Sequence, residues 1–236
     1  FGSLFLCENL SKYSKPMGGL IKSSVAKKFA MALSGLFLVL FLGQHFTINF
    51  SSVISPDTFN EWSHFMGTNI LVQAVLQPVL IFGVVFHFVM GIVLEIHNRK
   101  ARAINYVSYK GNRNSSWMSR NMIYSGLVVL AFLGLHFYDF WVPELVHKYI
   151  EGHPEDAGRY YGELVEKFQD PIRVILYVVS FIFLMLHLLH GFSSSFQSVG
   201  WNNKYAKGLR GFTVAYAIII PLGFIFIALY HYINNL

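Results

Sequence analysis

Four histidines, His45, His87, His136 and His187, each sit deep inside a separate apolar stretch of the chain. An imidazole within a membrane-length helix is costly to bury and marks a functional position. A lone histidine in such a helix is more often a hydrogen-bonded bundle residue than a ligand. Four of them, one per helix, suit two metal centres with paired imidazole ligands, and in a helix bundle that chemistry is haem ligation. His190 lies three residues beyond His187, about 60° further around a helix, and competes with it as the fourth ligand.

The elements that must carry these residues follow from composition. Of the 236 residues, 54% are hydrophobic and only 13% charged, and mean hydropathy is positive. That balance excludes an ordinary soluble domain and points to an all-α integral membrane bundle. Five apolar stretches, near 29–50, 71–96, 120–143, 171–196 and 209–233, are long enough to cross a hydrocarbon core of about 30 Å. Pro78 and Pro221 fall within the second and fifth, and Asp170–Pro171 marks the start of the fourth. Residues 1–28 form an N-terminal segment and 29–236 a single five-helix domain. Cys7 is the only cysteine, which excludes an internal disulfide and a thiolate-held cluster.

The formal net charge of +6 comes from short clusters between the apolar stretches, a topology signal rather than a nucleic-acid footprint. Fourteen of the 18 basic residues lie before the first span, between the second and third, or between the fourth and fifth. All of these regions share one side. The positive-inside rule then puts the N-terminus in the cytoplasm and the C-terminus outside. The region 144–170 on the other side is long and acidic, and reads as a solvated cap with a short helix near 155–167. His64, His97, His147, His153 and His231 fall at span ends or in loops, where interfacial or solvated histidine is the expectation.

Sequence position converts to depth at about 1.5 Å per residue. His45 and His136 each lie 16 residues beyond the inner edge of their spans, about 24 Å in. His87 and His187 each lie 9 residues from the inner edge of spans that run the other way, about 14 Å in. Two layers result, about 10 Å apart, pairing His45 with His136 and His87 with His187. Gly43, Gly91, Gly134 and Gly191 lie near these histidines and would let a flat macrocycle approach the backbone.

Several stretches together carry a family likeness: Gln44 to Asn49, Phe59 to Met66, His87 to Gly91, His136 to Trp141 and His187 to Phe192. From about Lys27 to the C-terminus the chain resembles the dihaem cytochrome b membrane anchor of succinate:quinone oxidoreductases. It is similar to the single large anchor of succinate dehydrogenases and fumarate reductases that use menaquinone. The resemblance implies two b haems, a distal one held by His45 and His136 and a proximal one held by His87 and His187. It also implies a flavoprotein with covalent FAD and an iron–sulfur subunit docked on the cytoplasmic face of a bacterial inner membrane. Electrons would pass between the iron–sulfur subunit and a quinone, and the dicarboxylate chemistry would belong to the flavoprotein. His190 and the long outer region depart from the family's pattern.

Quinone chemistry needs a protonatable group, and Glu61, beside Trp62 and His64, is the candidate. Ser34, Trp117, Arg120 and Lys204 on the inner side are candidate partners of haem propionates, which favour cationic or hydroxyl donors. A two-haem cytochrome serving a hydrogenase, formate dehydrogenase or nitrate reductase would use the same histidines. A haem-free transporter or structural anchor, with histidines as proton relays, is the alternative from a different class.

Overall fold

A computed structural model describes residues 23–100, 121–152, 156–201 and 206–234. Among these, every regular element is helical, and five helices are long and apolar enough to cross a membrane. The chain is a multi-pass membrane protein built as an all-α bundle. Trp117, Arg120 and Lys204 lie outside the described residues, as do Cys7 and most of the N-terminal segment.

The first span, α1 (Ser24–Ile54), starts where the Ser23 hydroxyl accepts from Ala26 N–H. It ends at Ser55, whose own side chain then caps α2 (Pro56–Thr68), with Pro56 in the first turn. The second span is a widened π turn at Val72–Leu76 running into α3 (Gln77–Lys100). The third is α4 (Met122–His136), a second π turn at Phe137–Trp141, the short α5 (Val142–Val146) and a third π turn at His147–Glu151. Gly152, at φ 75°, stops it, a conformation that glycine adopts without a Cβ penalty. After α6 (Arg159–Lys167), Asp170 caps α7 (Pro171–Ser198), and α8 (Ala206–Asn234) completes the bundle. Each span outlasts its apolar stretch, most of all the third, which continues eight residues past 143 to Glu151.

Packing arranges the histidine-bearing helices as a ring. α1 packs on α3, α3 on α4, α4 on α7 and α7 on α1, while α8 lies outside against α7 and α1. Lipid does not drive helices together by the hydrophobic effect, so close packing and buried hydrogen bonds must do so. One apolar cluster, including Tyr177, Phe181, Phe224 and Ile227, fills the bundle toward the end that carries α2 and α6. A smaller one joins Val39, Leu188, Phe192 and Ala217 further along. Tyr216 donates to the Val39 carbonyl at 2.6 Å, tying α8 to α1. Large apolar side chains such as Leu40, Phe82 and Ile182 remain exposed around the outside, where acyl chains would cover them.

The bundle therefore has a capped end, covered by α2 and α6, and a basic end, where Lys28, Arg99, Lys100 and Arg210 lie. The acidic region is less solvated than its composition implies. α6 buries Leu164, and Phe168 follows it into the core beside Phe59 of α2. The acid Glu144 is paired with Lys148 at 2.5 Å and with Arg159. Arg159 also binds Glu163 at 2.6 Å. Lys148 donates to the Gly67 carbonyl, tying the third span to α2, and Tyr161 N–H donates to Asn60, tying α6 to α2. These polar groups point at one another rather than at water, because the apolar sides of two short amphipathic helices are turned inward.

Candidate functional site

The ring of α1, α3, α4 and α7 places the four histidines across its two diagonals. On the capped side the His45 and His136 rings face one another, centroids 5.7 Å apart and planes at 82°. On the basic side His87 faces His187 at 6.4 Å and 70°. The ring opposite His87 is that of His187; His190 is half-buried one turn on.

A metal–imidazole bond is about 2 Å, and the nitrogen lies roughly 1 Å from its ring centre, so two imidazoles sharing one ion have centroids about 6 Å apart. Both pairs have that spacing. Among the described residues no cluster of three or more histidine, cysteine, aspartate or glutamate side chains is poised for a metal. Each centre thus offers two protein ligands, too few for a protein-only tetrahedral site. They fit a group that brings its own equatorial donors, as porphyrin does.

The basic-side imidazoles are held by serines. Ser34 Oγ lies 3.0 Å from His87 Nδ1, and Ser125 Oγ lies 3.3 Å from His187 Nδ1. Ser34, a candidate for propionate binding, donates its hydroxyl to the Met31 carbonyl and touches His87. A glycine lies beside each ring, and only at Gly35 would a side chain be crowded. A Cβ on Gly35 would lie 3.3 Å from His87 Cε1, and one on Gly126 would lie 3.5 Å from His187 Cε1. The glycines expected to serve this purpose have other neighbours. A Cβ on Gly43 would meet Tyr216, on Gly91 Met31 and on Gly191 Met122, while one on Gly134 would meet nothing within 4 Å.

The capped-side pair has mainly aromatic surroundings. Phe41 stacks on His45 at 5.4 Å and Phe132 on His136 at 5.7 Å, with Phe140 and Phe224 also in ring contact. The Asn49 amide donates to the His45 carbonyl at 2.8 Å and reaches the His45 ring only at 3.4 Å. His136 Nδ1 is buried with no hydrogen-bond partner among the described residues. The π turn directly after His136 brings Asp139 inside as well, where it is 2% exposed. Its Oδ2 accepts from Tyr177 Oη at 2.9 Å and pairs with Arg173 at 3.1 Å.

Glu61 and Trp62 are exposed on α2, whereas His64 turns inward against the Tyr160 ring. Burial opposes the charge on Arg159, but its hydrogen bonds to Glu163 and Glu144 hold it protonated more firmly than usual. Burial, reinforced by the Glu144 charge, pushes the Tyr160 hydroxyl up to about 12. His231, expected at an interface, is fully buried, and its Nε2 is 2.9 Å from the Ser52 hydroxyl.

Ser125, Gly35, Gly126 and Asp139 escaped the reading of the sequence, although a signal for the first three was there. Positions 31–46 and 122–137 are identical at nine of 16 places: Met31, Ser34, Gly35, Leu36, Phe41, Leu42, Gly43, His45 and Phe46 recur 91 residues later. The repeat marks Ser-Gly as a unit that accompanies the histidine. No protein-family model, curated protein or solved structure matches the chain.

Proposed function

We propose that this chain is the membrane anchor and electron-transfer subunit of a succinate:quinone oxidoreductase, binding two b haems and a quinone of the menaquinone class. The observation that carries the reading is the pair of facing imidazole rings on each diagonal of one four-helix ring, at 5.7 and 6.4 Å. Haem bound at each pair supplies one-electron oxidation and reduction at iron. His45 and His136 would hold the distal group, His87 and His187 the proximal one. The surrounding phenylalanines exclude water, and the basic end offers an attractive surface to a soluble partner.

The partners in this reading are an iron–sulfur subunit and a flavoprotein with covalent FAD, docked at the basic, cytoplasmic end in the inner membrane of a bacterium. The family likeness of Phe59 to Met66, with the pairing order of the histidines, favours the succinate complex over the other two-haem cytochromes. Glu61, exposed at the capped end next to Trp62, would exchange protons with the quinone. Arg120, Trp117 and Lys204 remain the candidates for propionate contacts.

A dithionite-reduced optical spectrum of the purified protein tests the cofactor, and two bis-imidazole b haems are expected. Co-purification tests the partner. A covalently flavinylated protein supports the reading, and a nickel or molybdenum enzyme overturns it.

A further inference from the structure

We infer that Ser34 and Ser125 are equivalent positioning residues of the basic-side centre, each fixing its imidazole as the tautomer that offers Nε2 to a shared metal ion. The inference rests on the haem reading above, but its argument is hydrogen-bond accounting. A serine hydroxyl has one hydrogen to donate. Ser34 gives it to the Met31 carbonyl at 2.9 Å, and Ser125 gives it to the Met122 carbonyl at 2.9 Å. Each Oγ can then only accept from the histidine beside it. His87 Nδ1 and His187 Nδ1 must therefore carry the proton. The lone pair of each neutral ring is left on Nε2, the nitrogen that a metal takes.

The sequence repeat shows why this arises twice. In each copy the serine precedes the capped-side histidine by 11 residues, 34 to 45 and 125 to 136. Eleven residues make about three helical turns and return to within about 20° of the same face. One helix therefore presents a ligand to the capped-side centre and, about 16 Å away along its axis, a serine that reaches a histidine of the basic-side centre. The histidine it meets there comes from the next membrane span, α3 for Ser34 and α7 for Ser125. Each helix pair is thus a module giving one ligand to each centre, and the two modules run parallel, as repeats do when their axis lies along the membrane normal. Gly35, next in the chain, keeps space for the His87 ring, and Gly126 stands in the equivalent place beside His187.

A hydrogen bond from Nδ1–H raises the basicity of the ligating nitrogen and stabilises ferric iron. Ser34→Ala and Ser125→Ala should each raise the midpoint potential of one haem, the same haem in both variants, and leave the other unmoved. The double variant should shift it roughly twice as far. Ser34→Thr, which retains a hydroxyl able to make the same bonds, should restore the original potential. Potentiometry on the purified full-length protein, followed by haem absorbance, reads all four. Loss of that one haem in an alanine variant, with recovery in the threonine variant, also supports the assignment. Equal shifts in both haems, no shift, or failure of threonine to restore the original behaviour overturns it. Two haems with unmoved potentials defeat the serine assignment alone, whereas a haem-free wild-type protein defeats the cofactor reading beneath it.

Discussion

The two histidine pairs have the same ligands, similar spacing and the same crossing of the ring, yet they differ in what stands behind the imidazoles. At the basic side each Nδ1 meets a serine oxygen that can only accept. At the capped side His136 Nδ1 has no hydrogen-bond partner among the described residues, and the rings rest on phenylalanines. The polar support there stands one turn away, in the buried Asp139, Arg173 and Tyr177 cluster. Orientation at one centre comes from a hydrogen bond to each ring, at the other mainly from aromatic packing, with one long contact from Asn49 to His45. In the haem reading, the hydrogen-bonding groups behind a ligand tune both affinity and potential, so two pairs of identical residues would make distinguishable centres.

The largest expected effect breaks the comparison at its root. His87→Ala and His187→Ala should each abolish the same haem, and His45→Ala and His136→Ala should each abolish the other, half of the haem absorbance in every case. Spectra of the four purified variants would check it. If His45→Ala and His87→Ala removed one and the same haem, the diagonal pairing would be wrong, and with it the contrast between the centres.

A second experiment sharpens the contrast by removing the capped side's polar support. Asp139→Ala takes the partner from the Arg173 guanidinium and from the Tyr177 hydroxyl. Breaking a buried ion pair costs about 3–5 kcal/mol, but Arg173 keeps a quarter of its side chain exposed. We therefore expect roughly 2 kcal/mol, since water screens and solvates that charge. Thermal denaturation in detergent would show a lower midpoint, with the capped-side haem lost first on heating. Simultaneous loss of both haems would mean that the cluster supports the whole bundle and not one centre.

What the sequence made legible was what one-dimensional arithmetic reaches. Span positions follow from apolar length, and the pairing of histidines by depth follows from a constant helical rise; the facing rings have that pairing. Lateral neighbours do not follow from either. The ring order of α1, α3, α4 and α7, and the role of α8 outside it, depend on packing that no single stretch encodes. α2 was hard to see because it is short and buries only Phe59 within itself, whereas α6 falls inside the short helix expected near 155–167. His231 was misread because depth near a span end says nothing about whether a second helix, here α1 with Ser52, covers the ring. Nothing in the spacing singled out Asp139; the π turn carries it inside.

The smallest expected effect concerns the cap of α2 and α6 over the capped-side centre. Tyr160 lies beneath Arg159, whose guanidinium is 4.4 Å from the ring centre, and its hydroxyl is pushed up to about 12 by burial and by the Glu144 charge. In the unfolded chain a tyrosine loses its proton near pH 10. Because the folded value is raised, the folded state binds the proton more tightly. Stability is therefore undiminished below pH 10, where both states keep the proton, and falls as pH rises from 10 through about 12. Tyr160→Phe removes that titration, so the thermal midpoint of the variant should fall less steeply than that of the unmodified protein between pH 10 and about 12. Below pH 10 the two should differ little, because the hydroxyl's contact with Glu144 is long, at 3.4 Å. The difference should appear in the capped-side haem before the basic-side one, since α6 covers only that end. Parallel curves in the two proteins would mean that the cap opens before Tyr160 ionises.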